Sequence, residues 1–511
     1  MANVVDKRAS QPTLFIDGKW RYSSWGKSRP TINPFDASII THVDEASAED
    51  ALAAIKSARN YQDTSSWARE SFSTRSIFLS KIAELLQKHK EELSKVEVQD
   101  TGKTMAEAQT DVDDVTAVFE FYAEEGKKFD TPKAITGKNV PESVRSSVVK
   151  EAVGVCVLIA PWNYPLLQIC WKLAPALVAG NSCIVKPSEV TPLSTIFLHR
   201  IMLEAGVPAN AIQLLTAGGQ SVGPTLTEHP DVDLVSFTGG LSTGQSIIRS
   251  CASTVKRCCV ELGGKNPNIV FADTPLDIAI DVVLTAVFTH SGQVCSSGTR
   301  LIIENKGTFA DDVVKGVVER SKQIVLGNGT KKGVECGPLV SAAHLAKVKA
   351  FVELGKSEGA KLLCGGKQPS DPELSKGYFF EPTVFDHCNR DMKIVTEETF
   401  GPILTVERFD ADDEERAIFL ANDTAYGLAG GVQTSNIARG QRIAKRLQHG
   451  TVWLNSYGSY FPSAEWGGFG MSGNGRELGS SGLEEYVETK HLYQETKPAL
   501  MGWFKGRTSK L

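Results

Sequence analysis

From Val153 onward the chain alternates short apolar runs with helix-length stretches, and this alternation constrains the fold more than any other feature. VGVCVLIA (153–160), SCIVK (182–186), AIQLL (211–215), DLVSF (233–237) and CCVEL (258–262) each have the length of a buried strand. Between them lie YPLLQICWKLAPALVAG (164–180), which ends in Gly, and stretches near 191–205, 221–228 and 243–252 that read as helices. Strands and helices in such strict succession predict an α/β fold with a parallel, doubly wound sheet. A second α/β series runs from Asn268 to about Asn455. Ahead of both, Ile77, Phe78, Ile82, Leu85 and Leu86 recur at helical spacing within 75–95.

A chain of 511 residues has room for roughly three domains. Its 41% hydrophobic content suffices for a large core without disulfide or metal staples. A net charge of −5 with scattered Lys and Arg speaks against a dedicated nucleic-acid binder. No apolar run approaches the length of a membrane span, and MANVVDKRASQ at the N-terminus lacks an apolar signal core. None of the ten Cys stands in a CxxC pair, which reads as reduced, mostly buried thiols in an intracellular protein and disfavours a metal site.

Three short segments carry chemistry. GQVCS (292–296) follows the apolar stretch 278–288, and a Cys in such a small-residue loop is either an inert buried thiol or a nucleophile. ELGGK (261–265) sets Glu261 at the end of a strand, where parallel sheets collect ligands and catalytic groups; a lone Glu there is otherwise simply solvated. PWNYP (161–165) puts Asn163 between a strand and a helix start, where its amide either caps the helix or stabilises an oxyanion.

Together, in this order and spacing, these segments closely resemble the NAD(P)-dependent aldehyde dehydrogenase superfamily. The resemblance spans nearly the whole chain: FIDGKW (15–20), KPSE (186–189), FTGG (237–240), ELGGK, GQVC, EETFGP (397–402) and WGGFGMSG (466–473). PWNYPLL, WKLAPAL, VSFTGG and GRELG look most like the betaine-aldehyde and aminoaldehyde branch.

The resemblance implies a Rossmann-like cofactor domain over 9–134 and 153–267, a catalytic domain over 268–477, and a small β arm over 135–152 and 478–503 that assembles a homodimer or homotetramer. It implies Cys295 as the nucleophile, Asn163 and the Cys295 backbone N–H as oxyanion donors, and Glu261 as the base that activates water. For the cofactor, NAD, it points to Trp162, Lys186, Ser188, Glu189, Gly239, Gly244, Glu398 and Phe400. A carboxylate at Glu189 accepts from a free ribose 2′-OH and repels a 2′-phosphate. Many relatives have Ser where this chain has Gly240, which removes one donor to the pyrophosphate.

For the aldehyde, the resemblance implies a tunnel lined by Tyr164, Trp171 and Trp466, rings suited to a trimethylammonium head. Tyr164 and Trp171 are seven apart and share a face of one predicted helix. On the helical wheel of AEAQTDVDDVTAVFEFY, Asp111 borders the apolar face and Asp113 points away; Asp111 and Asp114 match the acids that attract amino groups in plant-type enzymes. Departures are Thr289, where plant-type members carry a tunnel Trp, and SYGSYFPSAE (456–465), which adds Tyr457, Tyr460 and Glu465. The competing readings are a broad aliphatic or semialdehyde dehydrogenase, and a non-catalytic protein that kept the fold. The terminal Ser509-Lys510-Leu511 reads as a peroxisomal import signal, whose partner is the import receptor.

Overall fold

The computed structural model describes residues 11–504. The five predicted strands form the middle of one eight-stranded sheet, with Arg257–Glu261, Leu234–Thr238, Val155–Ile159, Ser182–Lys186 and Ile212–Leu214 side by side and parallel. The chain enters at Val155–Ile159, builds outward to Ile212–Leu214, then returns to the other side of its first strand. That reversal is a topological switch point, where open α/β sheets hold ligands at their carboxyl ends. Leu14–Ile16 with Lys19–Arg21 extends one edge, and Gly473–Asn474 pairs antiparallel with Arg257–Glu261 at the other. The last pairing brings a segment from near the end of the second series back to the first sheet.

The helix Pro165–Ala179 has no solvent-exposed residue. It begins with Pro at its first position, where no backbone donor is lost, and ends on Gly180 at φ 90. Glycine is required at 180 because the turn is left-handed and the Arg75 guanidinium fills the space a Cβ would take. The helical pattern in 75–95 resolves into two helices, Phe72–Lys88 and Lys90–Thr101, broken at His89, and Ile77 faces solvent.

A second, seven-stranded sheet contains Pro267–Val270, Arg300–Asn305, Ile403–Asp410, Thr383–Asp386, Ala429–Gln433 and Thr451–Leu454, all parallel, with Lys361–Cys364 antiparallel at one edge. A third sheet joins Lys133–Ala134, Val144–Ala152 and Val487–Glu495 into an exposed antiparallel ribbon. The strands Ser28–Ile32 and Ile39–Asp44 form a separate hairpin. Among the described residues, no helix is long and apolar enough to cross a membrane. Ser509-Lys510-Leu511 lies outside the described residues.

Candidate active site

The carboxyl ends of Val155–Ile159, Leu234–Thr238 and Arg257–Glu261 open on a cleft of about 260 Å³ lined by Trp162, Asn163, Gly239, Gly263, Cys295 and Glu398, among others. Asn163 leaves the first of these strands and Glu261 ends the third. Cys295 arrives from the other sheet system, on the loop that follows the helix Leu276–Phe288.

That loop is strained. His290 (φ 49), Ser291 (φ 56) and Gly292 (φ 68) are left-handed in succession, a conformation non-glycine residues hold only when surroundings over-determine it. Here they do. The His290 N–H donates to Glu107 Oε1 at 2.8 Å, Ser291 Oγ donates to the Gly337 carbonyl at 2.6 Å, and Val340 N–H donates to Gln293 Oε1 at 2.9 Å. At Gly292 a Cβ would run into the Gly401 carbonyl. Asn266 Nδ2 donates to the Cys295 carbonyl at 2.8 Å and to that of Ser297 at 3.0 Å. Asn163 does not cap the helix behind it: the cap position is Tyr164, and Asn163 Nδ2 instead donates to the Gln293 carbonyl at 2.9 Å. One amide hydrogen remains for a second acceptor beside Cys295.

Cys295 and Glu261 are hydrogen-bond partners across the cleft. Burial pushes the Glu261 carboxyl up to about 7; nearby Glu477 adds to the rise, and Lys172, Trp466 and Cys295 oppose it. Burial, then the charges of Glu261 and Glu398, hold the Cys295 thiol well above its ordinary value. A carboxylate poised near neutrality next to a protonated thiol is a base positioned to take its proton. The balance is set by residues the sequence reading did not assign. Lys172, fully buried, pairs with Glu477 and donates to Thr238 Oγ1 at 2.6 Å. A lone Lys inside the apolar WKLAPAL was the available signal, since a buried ammonium requires a partner.

The expected cofactor residues distribute around the same sheet. Trp162 stacks edge-on against Phe400 at 5.2 Å between centroids. Lys186 ends its strand buried, donates to the Pro187 carbonyl at 3.1 Å and lies 3.6 Å from Glu189. Ser188 Oγ accepts from the Val190 N–H at 3.2 Å, closing a local turn. Gly239 donates to the Glu261 carbonyl at 3.1 Å, and Gly244 lets the helix Leu241–Ala252 press against Leu262. Glu398 accepts from the Gly264 N–H at 3.1 Å, and a Cβ at Gly263 would occupy the position of its carboxylate.

Of the expected substrate residues, Trp171 and Trp466 meet at 5.7 Å, and Tyr460 joins them at 5.3 and 6.3 Å. Trp453 and Tyr457 extend the cluster, the Tyr457 hydroxyl donating to the Ser296 carbonyl at 3.0 Å. Tyr164 differs from expectation. It sits outside the helix, at its cap, with the Lys103 ammonium 4.3 Å from its ring and the His290 ring 5.2 Å away. The two acids also separate. Asp111 is buried and ion-paired with the fully buried Lys103, so its carboxylate is engaged internally rather than free for an amine. Asp114 is half-buried and accepts from the Tyr460 hydroxyl, at the edge of the aromatic cluster. Asp113 points away, as the helical wheel predicts, and pairs with Lys90. Thr289 ends the helix before the strained loop and donates to the Thr285 carbonyl at 2.8 Å.

A family model described as "Aldehyde dehydrogenase family" matches residues 20–492. The chain is 51% identical over 492 residues to a betaine aldehyde dehydrogenase of Bacillus subtilis, covering 96% of this chain and 99% of that one. It is 40% identical over 499 residues to aminoaldehyde dehydrogenase 1, peroxisomal, of Pisum sativum, with 97% and 98% covered. The crystal structure of a Staphylococcus aureus betaine aldehyde dehydrogenase in complex with NAD+ superimposes with a TM-score of 0.94 at 44% identity, covering 98% of this chain and 97% of that one.

Proposed function

The chain belongs to the aldehyde dehydrogenase family and oxidises aldehydes with NAD, and on that premise we propose that its substrates are amino- and trimethylammonio-aldehydes handled by Cys295, Glu261 and Asn163. The cleft fits NAD. Its floor is glycine at 239, 240 and 263, Gly240 caps the helix Leu241–Ala252, and Glu398 stands over Gly263 as a hydroxyl acceptor. A helix N-terminus beside glycines suits a pyrophosphate. We assign Trp162, Lys186, Ser188, Glu189, Gly239, Gly244, Glu398 and Phe400 to holding the cofactor, with Glu189 and Glu398 accepting from ribose hydroxyls.

In the reaction, Glu261 takes the Cys295 proton and the thiolate attacks the aldehyde carbon. The oxyanion that forms is stabilised by the free Asn163 amide hydrogen and the Cys295 N–H. Bound NAD supplies the hydride acceptor that turns the Cys295 thiohemiacetal into a thioester. Glu261 then removes a proton from water, which hydrolyses the thioester to the carboxylic acid.

One observation carries the substrate class. The rings of Trp171, Tyr460 and Trp466 converge on one side of Glu261, with Asp114 hydrogen-bonded to the outermost of them. Rings around a desolvated cation attract it, and an acid at their edge adds charge complementarity. The names of the Bacillus subtilis and Pisum sativum relatives agree with this class. The exposed ribbon Val144–Ala152 with Val487–Glu495 is proposed as the homo-oligomer contact, because it presents apolar Leu492 and Tyr493 to solvent. Peroxisomal import is proposed on Ser509-Lys510-Leu511, and deleting the three residues from a fluorescent fusion tests it. The substrate assignment is tested by incubating a Glu261→Gln variant with NAD and betaine aldehyde and weighing the protein. An acyl adduct on the Cys295 peptide supports it; an adduct elsewhere, or none while NADH forms, contradicts it.

A further inference from the structure

A second pair of nucleophilic side chains lies outside the cleft. Cys251 sits in the last turn of the helix Leu241–Ala252 and is 2% exposed; Cys258 is the second residue of the strand Arg257–Glu261 and is half-buried. Both pack into one apolar cluster beneath the first sheet, and their thiols are hydrogen-bond partners. What brings them together is a tight turn. Val255, between the two cysteines, is left-handed at φ 57 and 90% exposed, a conformation that a β-branched residue adopts only under constraint.

Three further observations single this pair out. Cys259 follows Cys258 but points to the other face of the strand, where its thiol donates to the Asn474 carbonyl at 3.6 Å, so it does not compete for Cys251. Of the ten free cysteines, only Cys258 and Cys295 are not fully buried. The two sites also differ electrostatically. The hydrogen bond from Cys258, followed by burial acting against it and the charge of Lys256, leaves the Cys251 thiol below its ordinary value, whereas Cys295 is held well above its own. The thiolate is the form that reacts with oxidants.

We propose that Cys251 and Cys258 form a redox-active dithiol that reacts with hydroperoxides ahead of Cys295 and closes reversibly into a disulfide. The Cys251 thiolate attacks one peroxide oxygen, the O–O bond breaks, and the released hydroxide takes a proton to leave as water. The Cys258 sulfur then attacks the resulting sulfenic sulfur, an S–S bond forms, the S–O bond breaks, and the departing hydroxide leaves as a second water with the Cys258 proton. Two electrons pass from the pair of sulfurs to one peroxide. The product staples the end of the helix that borders the cofactor cleft to the strand that carries Glu261.

The test is a stoichiometric dose of hydrogen peroxide on the full-length enzyme without substrate, followed by alkylation and peptide mapping. The expected result is a Cys251–Cys258 cross-link, Cys295 still alkylated, dehydrogenase activity retained, and both thiols regained with dithiothreitol. In Cys258→Ser, and equally in Cys251→Ala, the same dose should fall on Cys295 and inactivate about tenfold more enzyme than in wild type. Wild-type protein whose Cys251 and Cys258 both remain alkylatable while Cys295 is oxidised would overturn the proposal, whether or not either variant folds.

Discussion

The Trp466 indole N–H donates to Glu261 Oε1 at 3.2 Å, so a ring assigned to the substrate also holds the carboxyl assigned as base. Trp466 is in turn fixed through its backbone, which exchanges hydrogen bonds of 2.6 and 2.7 Å with Glu477. Substrate recognition and the proton affinity of Glu261 therefore share one side chain. A hydrogen bond to a carboxylate favours its charged form. Trp466→Phe keeps a ring and removes the donor, so it should raise the Glu261 pKa above about 7 and move the acid limb of kcat to higher pH. A pH profile with an unmoved limb would separate the two roles.

Glu261 itself should set that limb. Only the carboxylate accepts a proton from water, so kcat in the wild type should rise with pH through about 7. In Glu261→Gln the limb should vanish and deacylation should slow more than hydride transfer. Rapid mixing should then show a burst of NADH followed by turnover slower by about a hundredfold or more. Linear NADH release from the first turnover would contradict the assignment.

Cys295→Ala should lower turnover by at least about 10⁴-fold, because the covalent route is lost. It should also abolish esterase activity, while NAD affinity from fluorescence titration stays near wild type. Turnover comparable to wild type would remove Cys295 from the mechanism.

Glu189 should make NAD the preferred cofactor. A 2′-phosphate about 4 Å from a carboxylate meets a repulsion on the order of a few kcal/mol at intermediate dielectric, before screening. Lys186, 3.6 Å away and buried, offsets part of it. Glu189→Gln should narrow the NAD to NADP ratio of kcat/KM by roughly tenfold. An unchanged ratio would mean that Glu189 does not face the ribose.

Asp111 should behave as a structural residue rather than a substrate contact. Lys103 is fully buried between Asp111 and Glu97, 3.7 Å from the latter. Lys103→Met leaves these acids without their cation and should destabilise the fold by about 3–5 kcal/mol in urea unfolding. Asp111→Asn should lower stability while leaving the ranking of aldehydes intact.

How much was legible in the sequence depended on range. Strand–helix alternation is local, and the order of motifs brought Asn163, Glu261 and Cys295 into one family pattern before any coordinates. Partnerships across hundreds of residues left no comparable trace. Nothing near Lys172 announces Glu477, and nothing in 473–474 signals a return to the first sheet. Tyr164 and Asp111 illustrate the same limit. The seven-residue spacing of Tyr164 from Trp171 implied a shared helix face, but the helix begins at Pro165. The wheel put Asp111 at the border of the apolar face, and Lys103, whose ammonium claims it, lies ahead of that helix.

The most direct test of the whole account is a kcat/KM panel with NAD, covering betaine aldehyde, 3-aminopropanal and 4-aminobutanal against hexanal and succinic semialdehyde. Rings worth about 0.5–2 kcal/mol each toward a desolvated cation should together favour the cationic aldehydes by tenfold or more. Trp171→Ala should erode that preference. Asp114→Asn should cost the primary ammonium substrates more than betaine aldehyde, because a quaternary head donates no hydrogen bond. A panel in which hexanal or succinic semialdehyde exceeds every cationic aldehyde would contradict the substrate class and leave the NAD-dependent aldehyde oxidation standing.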